Sequence, residues 1–249
     1  MNPYIDLNKI EFVITEACTG KCKHCSQGEH QLRGAVIDGE KAMDAVFKVS
    51  EKYNIETVMT FGGEPLLYAE TVVKIHSAAR TMNVKKRQVI TNGYFSKEEE
   101  RIRQVAKMLA EAGVNEILVS VDAFHQETIP LETVRTFIIE AKKCGIFQKL
   151  QPAWLVSEVD DNSYNLRTRQ VLESLKDTEL PVGEGNVIFP SGNATKYLSE
   201  FFVGKTVLNP YDEDPYNVKC LSFSPDGNVL DGNFYGEDIL EIIKKYRPL

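Results

Sequence analysis

Residues 10–25 of the chain read IEFVITEACTGKCKHC, an apolar stretch that leads directly into Cys18, Cys22 and Cys25. The apolar stretch Ile10–Ala17 predicts a buried strand, so the C-x3-C-x2-C spacing falls on the loop that follows it. The chain has 249 residues and five cysteines. An odd number of cysteines, without the apolar segment of a signal peptide, argues against a disulfide framework. Three cysteines within eight residues therefore predict a metal site.

Outward from this loop, apolar strands alternate with amphipathic helices along most of the chain. Strands are predicted at residues 10–17, 56–61, 87–92, 116–121, 150–156 and 186–189. Helices are predicted at residues 38–53, 67–82, 96–113, 132–144, 164–176 and 238–246. The third of these helices is expected to start with a capping box, Ser96 with Glu99, and to end at Gly113.

This alternation predicts an α/β fold with a parallel sheet. Six βα units are too few for a closed eight-stranded barrel, so we expect a partial (β/α)6 barrel of the TIM type. Its working face should be the carboxyl ends of the strands. We place the barrel at residues 1–195 and a small cap at 196–249, whose SPDGN segment (224–228) is expected to form the turn of a hairpin.

Composition limits the classes of partner. The net charge of −7 argues against a general affinity for nucleic acid. No stretch approaches the ~18 apolar residues of a membrane span. We therefore expect a cytoplasmic protein that binds neither membranes nor nucleic acid.

Two kinds of metal site fit the cysteine spacing. Iron–sulfur clusters are usually held by four thiolates, and with only three nearby one iron would lack a protein ligand. An open coordination site generally indicates chemistry rather than a scaffold. The alternative is a structural zinc site completed by His24 or His30, because Cys3His sites are common.

Further motifs follow the predicted strands in order. They are FGGEP (61–65), TNG (91–93), SVD (120–122) and FPSGNA (189–194). Together with C-x3-C-x2-C after the first strand, this series resembles the radical S-adenosylmethionine (SAM) superfamily. Asn193 stands where many members of the superfamily carry arginine.

The resemblance implies a mechanism and a set of cofactors. Cys18, Cys22 and Cys25 would ligate three irons of a [4Fe–4S] cluster, and SAM would chelate the fourth through its amino and carboxylate groups. Reductive cleavage of SAM would give methionine and a 5′-deoxyadenosyl radical, which takes hydrogen from a substrate. A flavodoxin- or ferredoxin-type protein would donate the electron.

The resemblance also suggests residues that bind SAM. Gly62 and Gly63 would let the backbone approach the cofactor, and Glu64 would accept hydrogen bonds from the ammonium group. Asn92 and Ser120 are candidates for the ribose hydroxyls or the carboxylate, although either can be a turn residue at a strand end.

The remaining chemical residues allow less specific expectations. The resemblance implies that the backbone of His24 contacts the adenine. Asp122 and His125 are candidate catalytic residues, for substrate contact or proton relay, with an Asx turn as the alternative for Asp122. His76 and Cys144 are interpreted as packed helix residues, and Cys220 as structural or facing a substrate.

The last segment bears on the substrate. CLSFSPDGNVLDG (220–232) resembles a SPASM or twitch segment without the cysteines for an auxiliary cluster. Since proteins with such segments often modify peptides, the leading expectation is a peptide or protein side chain. A small metabolite, activation of a glycyl radical enzyme and a non-catalytic zinc module are the alternatives.

Overall fold

The chain was analysed as a computed structural model that describes residues 2–248. The strands are β1 (Ile5–Val13), β2 (Thr57–Phe61), β3 (Lys86–Thr91), β4 (Glu116–Ser120), β5 (Phe147–Gln151), β6 (Ala153–Trp154), β7 (Asn186–Val187), β8 (Val218–Phe223), β9 (Asn228–Val229) and β10 (Gly232–Asn233). The helices are α1 (Gly39–Lys52), α2 (Ala69–Thr81), α3 (Glu99–Ala112), α4 (Leu131–Lys143), α5 (Ser163–Ser174), α6 (Asn193–Tyr197) and α7 (Ile239–Lys245).

A six-stranded sheet organises the molecule, in the order β5-β4-β3-β2-β1-β8. Every neighbouring pair in it is parallel, as the alternation of strands and helices predicts. Helices α1 to α4 pack side by side along one face. The core lies between them and the sheet, around fully buried side chains such as Phe12, Ile75 and Phe137. The predicted fold class is therefore confirmed.

The sixth strand of this sheet differs from the predicted one. The predicted strand at 186–189 is wrong in its partner and length, because β7 pairs with β6 in a separate two-stranded sheet. Pro152 separates β5 from β6, and proline has no N–H to continue a ladder. The edge beside β1 is instead taken by β8, with Cys220 opposite Lys9. The proposed division at residue 195 stays a prediction, and the segment after it supplies one strand of the main sheet.

Two helix starts show how local chemistry sets a boundary. Asp38 caps α1, because its Oδ1 accepts hydrogen bonds from the backbone N–H of Glu40 and Lys41. The capping box predicted at Ser96 is wrong, since α3 begins at Glu99. The Ser96 hydroxyl accepts from the N–H of Glu98, a local turn that delays the helix. Gly113 ends α3 in the left-handed region, with φ of 86°, as predicted.

The predicted hairpin around SPDGN is placed differently. That segment forms a tight turn, with Gly227 at φ of 91°, but it joins the parallel strand β8 to β9. The antiparallel pair is β9 with β10, so the hairpin turn lies at Leu230 and Asp231. The final helix is confirmed as α7, capped by Asp238.

The face of the sheet opposite the helices carries several charged side chains. Lys9 and Glu11 of β1 form an ion pair at 2.7 Å. Glu116 of β4 accepts from Lys149 at 3.1 Å and lies 3.4 Å from Lys86. This face therefore carries charges of both signs beside apolar residues such as Met59 and Leu118. Among residues 2–248, no helix is both long and apolar enough to cross a membrane.

Candidate functional site

The three clustered cysteines lie on one loop at the carboxyl end of β1. The sulfurs of Cys18 and Cys22 converge around Gly20, where an added Cβ would lie 3.7 Å and 3.3 Å from them. Cys22 is buried, and the other two are half-buried. The backbone N–H of Cys25 donates to the carbonyl of Cys22 at 3.2 Å, which curls the chain between these two thiols.

The other two cysteines belong to different elements. Cys144 is the C-cap of α4, where it packs half-buried against the main core. Cys220 is buried on β8, opposite Lys9 of β1. The position of Cys144 agrees with its interpretation as a packed residue. Cys220 lies on the same face of the sheet as Lys9, so its interpretation as structural or facing a substrate stays a prediction.

The GGEP loop after β2 lies against the chain that leads into the cysteine loop. A Cβ on Gly63 would lie 2.1 Å from the carbonyl oxygen of Ala17, and one on Gly62 would lie 2.7 Å from that of Thr15. Gly62 also has φ of 137°. The two glycines thus allow backbone to pack on backbone, a reason for glycine that the sequence interpretation did not include.

Glu64 is fully buried at the end of this loop. Its Oε1 accepts from the Leu66 N–H at 2.9 Å and the Thr91 hydroxyl at 2.7 Å, and its Oε2 accepts from the Asn92 N–H at 2.8 Å. Burial raises the pKa of Glu64 to about 7, against the opposing effect of these hydrogen bonds. All three donors are neutral, so among residues 2–248 the carboxyl group has no cation in hydrogen-bond contact.

Asn92 connects Glu64 with the cysteine loop. Its side-chain Nδ2 lies 3.6 Å from the Cys18 sulfur and 3.3 Å from the Thr19 hydroxyl. Its Oδ1 accepts from the Tyr94 N–H at 2.8 Å, which fixes the direction of the amide. Ser120 ends β4 beside Gln151 and is half-buried.

Asp122 and His125 form a buried pair after β4. Asp122 Oδ1 accepts from the N–H groups of Phe124 and His125, both at 2.9 Å. Its Oδ2 contacts His125 Nδ1 at 2.7 Å and accepts from the Ala153 N–H at 3.1 Å. Burial alone raises the pKa of Asp122, but the charge and hydrogen bond of His125 lower it to about 2. The Asx turn given as the alternative for Asp122 is present.

Histidines line the cysteine loop. Cys22, His24 and His125 each place a ligand-type atom within 4.8 Å of the other two. Burial lowers the pKa of His24 to about 4, so its ring is neutral. His30 Nε2 lies 3.1 Å from the Cys25 sulfur, and its Nδ1 lies 2.7 Å from the carbonyl oxygen of Glu16.

Asn193 holds the loop from the other side. Its Nδ2 donates to the Cys22 carbonyl at 3.0 Å, and its backbone N–H donates to the Cys25 carbonyl at 2.9 Å. The preceding Gly192 has φ of 50°, and a Cβ there would lie 2.5 Å from the Cys25 carbonyl oxygen. The FPSGNA motif indicated this segment, but not that asparagine would bind the loop backbone.

His76 was interpreted as a packed helix residue, and this is confirmed. It is fully buried on α2, with Nε2 3.0 Å from the Thr60 hydroxyl. It lies on the helix-covered side of β2 and packs within the core.

A family model described as the Radical SAM superfamily matches residues 12–147. The chain belongs to the radical SAM superfamily. This confirms the predicted family, whose cofactors are a [4Fe–4S] cluster and SAM. The cysteine spacing allowed an iron–sulfur cluster or a zinc site. Members of this superfamily hold the iron–sulfur cluster.

Curated relatives share the name GTP 3′,8-cyclase. The protein from Clostridium acetobutylicum is 22% identical over 222 residues, which cover 83% of this chain and 66% of the relative. That from Vibrio vulnificus is 31% identical over 123 residues, 46% of this chain and 35% of the relative. The chain thus spans between about a third and two thirds of the length of these two relatives.

Solved structures share the fold at low identity. Streptococcus suis SuiB bound to S-adenosylmethionine gives a TM-score of 0.62 at 10% identity, with 95% of this chain and 65% of SuiB covered. Native anSMEcpe with bound AdoMet and the Cp18Cys peptide gives 0.56 at 16% identity, with 92% and 75% covered. At these identities the likeness is one of fold.

The residues present fit a three-thiolate cluster. Three sulfurs come from one loop, and thiolates are the ligands that iron–sulfur clusters require. Within residues 2–248, the buried Nδ1 of His24 has no hydrogen-bond partner. An unsatisfied buried nitrogen beside the cysteines is expected where a polar group completes the site.

Proposed function

We propose that Cys18, Cys22 and Cys25 hold a [4Fe–4S] cluster with one iron open to SAM, and that the enzyme cleaves SAM reductively to take hydrogen from an organic substrate. The observation that carries this proposal is the junction of two loops at Asn92. Its backbone N–H donates to the Glu64 carboxyl group, and its side-chain amide is directed at the Cys18 sulfur. The cysteine loop and the GGEP loop thus form one site.

The residues of the GGEP loop would serve the amino group of SAM. Glu64 carries a buried carboxyl group with neutral donors only, and Oε2 has a single hydrogen bond. A carboxylate in this setting would gain a charge-assisted hydrogen bond from an amino group of the ligand. Gly62 and Gly63 place it by packing on Thr15 and Ala17.

The other predicted cofactor residues have separate roles in this proposal. Ser120, half-buried at the end of β4, would donate to a ribose hydroxyl or the carboxylate of SAM. His24 would contact the adenine through its backbone. Asn92 is already directed at Cys18, so it would act on the thiolate rather than on the ribose.

When bound, the cluster and SAM supply a one-electron reduction of the sulfonium that yields methionine and a 5′-deoxyadenosyl radical. The chain's own part is to hold these groups and exclude water. The electron would come from a flavodoxin- or ferredoxin-type donor.

A peptide or protein side chain remains our first proposal for the substrate. The support is the SPASM-like sequence of residues 220–232 and the charged residues on the open face of the sheet, Lys9, Glu11 and Glu116. A surface with charges of both signs suits a polar substrate that carries charges of both signs.

A small metabolite is the second candidate, because the curated relatives named above are GTP 3′,8-cyclases. Incubation with SAM, a reductant and GTP, followed by mass analysis, tests this candidate against a panel of short peptides encoded near the gene. A new GTP-derived product would favour the metabolite, and a modified peptide would favour the first proposal.

The test of the proposed function uses anaerobic reconstitution with iron and sulfide. The chain should bind a [4Fe–4S] cluster and, with dithionite, convert SAM to 5′-deoxyadenosine. The variant Cys18→Ala/Cys22→Ala/Cys25→Ala should do neither, and the matched control Cys144→Ala/Cys220→Ala should do both. Zinc in place of iron in the wild type, or a full cluster in the triple variant, would contradict the proposal.

A further inference from the structure

We propose that Lys149 is a specificity-determining residue that binds an anionic group of the organic substrate, a carboxylate or a phosphate. The inference rests on the proposed function, in which the substrate lies near the carboxyl ends of the strands. It extends that function by naming a chemical group that the substrate carries.

Lys149 lies on the face of the sheet that helices α1 to α4 leave open. It pairs in register with Leu118 of β4, and two residues further along both strands Gln151 pairs with Ser120. Side chains two residues apart point to the same face of a strand, and Val119 between them is fully buried on the helix-covered side. Lys149 therefore shares a face with Ser120, about 7 Å along the strand from the proposed SAM site.

Two lysines share a single carboxylate at this place. A carboxylate oxygen of Glu116 lies 3.1 Å from Nζ of Lys149, and the other lies 3.4 Å from Nζ of Lys86. Among residues 2–248, neither lysine lies within ion-pair distance of a second carboxylate. The group thus has one positive charge in excess, whereas Lys9 and Glu11 on β1 form a balanced pair.

The excess charge is available to a substrate at Lys149 rather than at Lys86. Lys86 is the first residue of β3, at the amino end of the sheet, opposite Thr57. Lys149 is closer to the carboxyl ends, and its side chain is 37% exposed. An ammonium group has three N–H donors, and the pair with Glu116 occupies one of them. The remaining donors can form charge-assisted hydrogen bonds with a second anion.

The surroundings of Lys149 strengthen such a contact. Leu118 and Ile90 pair in register beside it, and Val13 and Phe61 pair at the carboxyl end of the same face. All four side chains are apolar and half-buried. A charge pair in such surroundings is screened less than one on an exposed surface. The substrate thus places its anionic group at Lys149 and an apolar part against these side chains.

The experiment is anaerobic calorimetry of the reconstituted protein in the presence of SAM, with two matched pairs of probes. One pair is GTP and guanosine, and the other is a short peptide with blocked termini that contains either aspartate or asparagine at one position. The wild type should bind the anionic member of one pair about tenfold more tightly than the neutral member. This preference should disappear in Lys149→Gln. A preference within the first pair assigns a phosphate, and one within the second assigns a carboxylate.

The matched control is Lys86→Gln, which removes the other cation beside Glu116 and should keep the preference. Lys149→Arg retains the charge and should keep most of it. A wild type without a preference in either pair would overturn the inference. An equal preference in Lys149→Gln, or an equal loss in Lys86→Gln, would overturn it as well.

A second measurement decides if Lys149→Gln does not fold. Acetylation of the wild-type lysines by acetic anhydride, followed by mass spectrometry, should be slower at Lys149 when the anionic probe is bound and unchanged at Lys86. Equal rates at Lys149 with and without the probe would contradict the inference. Failure of the wild type to cleave SAM would instead overturn the proposed function, and calorimetry of the cluster-free chain would still measure the preference for an anion.

Discussion

Glu64 and Asp122 are both fully buried carboxyl groups that follow strands of the same sheet, yet their surroundings differ in charge. Asp122 contacts His125 at 2.7 Å and has a pKa lowered to about 2. Glu64 receives hydrogen bonds from neutral groups only, and burial raises its pKa to about 7.

The difference shows which of the two carboxyl groups has a charged partner within the protein. At the end of β4 the partner of the carboxylate is a side chain of the fold. At the end of β2, the part of the chain that the structure describes places no charged side chain in hydrogen-bond contact with Glu64. A buried carboxyl group is costly to ionise without a partner, and this supports our proposal that Glu64 serves the amino group of SAM.

The largest expected effect is on folding, from Asp122→Asn. Removing one member of a buried charge pair costs about 3–5 kcal/mol, because the other charge stays buried without its partner. Urea unfolding at pH 7.5 measures the loss, with the exposed Asp6→Asn as control. A loss below about 1 kcal/mol would show that Asp122 and His125 are not an ion pair.

The pH dependence of stability should distinguish the two carboxyl groups. The pKa of Glu64 is raised from 4.5 to about 7 in the fold. Its contribution to the free energy of unfolding is therefore fully present below pH 4.5 and is lost as the pH rises through 7, on the order of 3 kcal/mol in all. The contribution of Asp122 is present above pH 3.8 and is lost as the pH falls through 2.

Denaturation of cluster-free wild type and Glu64→Gln at pH 5 and pH 8 measures the first of these contributions. The wild type should lose stability relative to the variant between the two pH values. A difference between the proteins that does not change with pH would mean that Glu64 has an ordinary pKa.

The affinity for SAM tests whether Glu64 interacts with a ligand. Glu64→Gln should weaken SAM binding to the reconstituted protein at least tenfold, because a charge-assisted hydrogen bond contributes ~1.5–3 kcal/mol. Anaerobic calorimetry measures the affinity. Glu56→Gln, an exposed glutamate before the same strand, should bind SAM like the wild type. Equal affinities for Glu64→Gln and wild type would remove Glu64 from the SAM site.

The smallest expected effect concerns the neutral donors of Glu64. Thr91→Val removes the hydroxyl that donates to Oε1 at 2.7 Å. The free energy of unfolding should fall by about 1 kcal/mol, the net value of a typical hydrogen bond. Thr81→Val, an exposed threonine on α2, is the control in the same urea assay. Thr91→Val as stable as wild type would show that this bond contributes nothing.

Much of the fold follows from local sequence. Apolar strands and Gly113 as a helix end are short-range signals. Gly113 ends α3 as predicted, and β2, β3 and β4 lie within one residue of their predicted ranges. The sixth strand could not be predicted this way, because the pairing of β8 with β1 joins residues more than 200 positions apart. The signal at Ser96 is also short-range, but it is ambiguous. The hydroxyl of a serine can accept the same kind of backbone hydrogen bond at a helix cap or in a turn.

The site divides in the same manner. Motif order after each strand indicated which loops meet, since the carboxyl ends of parallel strands share one edge. It did not indicate which atoms meet. That Asn92 is directed at Cys18, that Asn193 holds the carbonyl of Cys22, and that His125 approaches Cys22 depends on side-chain directions across loops. Spacing within one segment carries no information on these contacts.

The most direct test of the central claim is the EPR spectrum of the reduced, reconstituted protein before and after SAM is added. An iron without a thiolate ligand is open to SAM, so the spectrum should change on addition while the cluster stays intact. A spectrum that SAM leaves unaltered, or a protein that takes up zinc and no iron, would contradict the account.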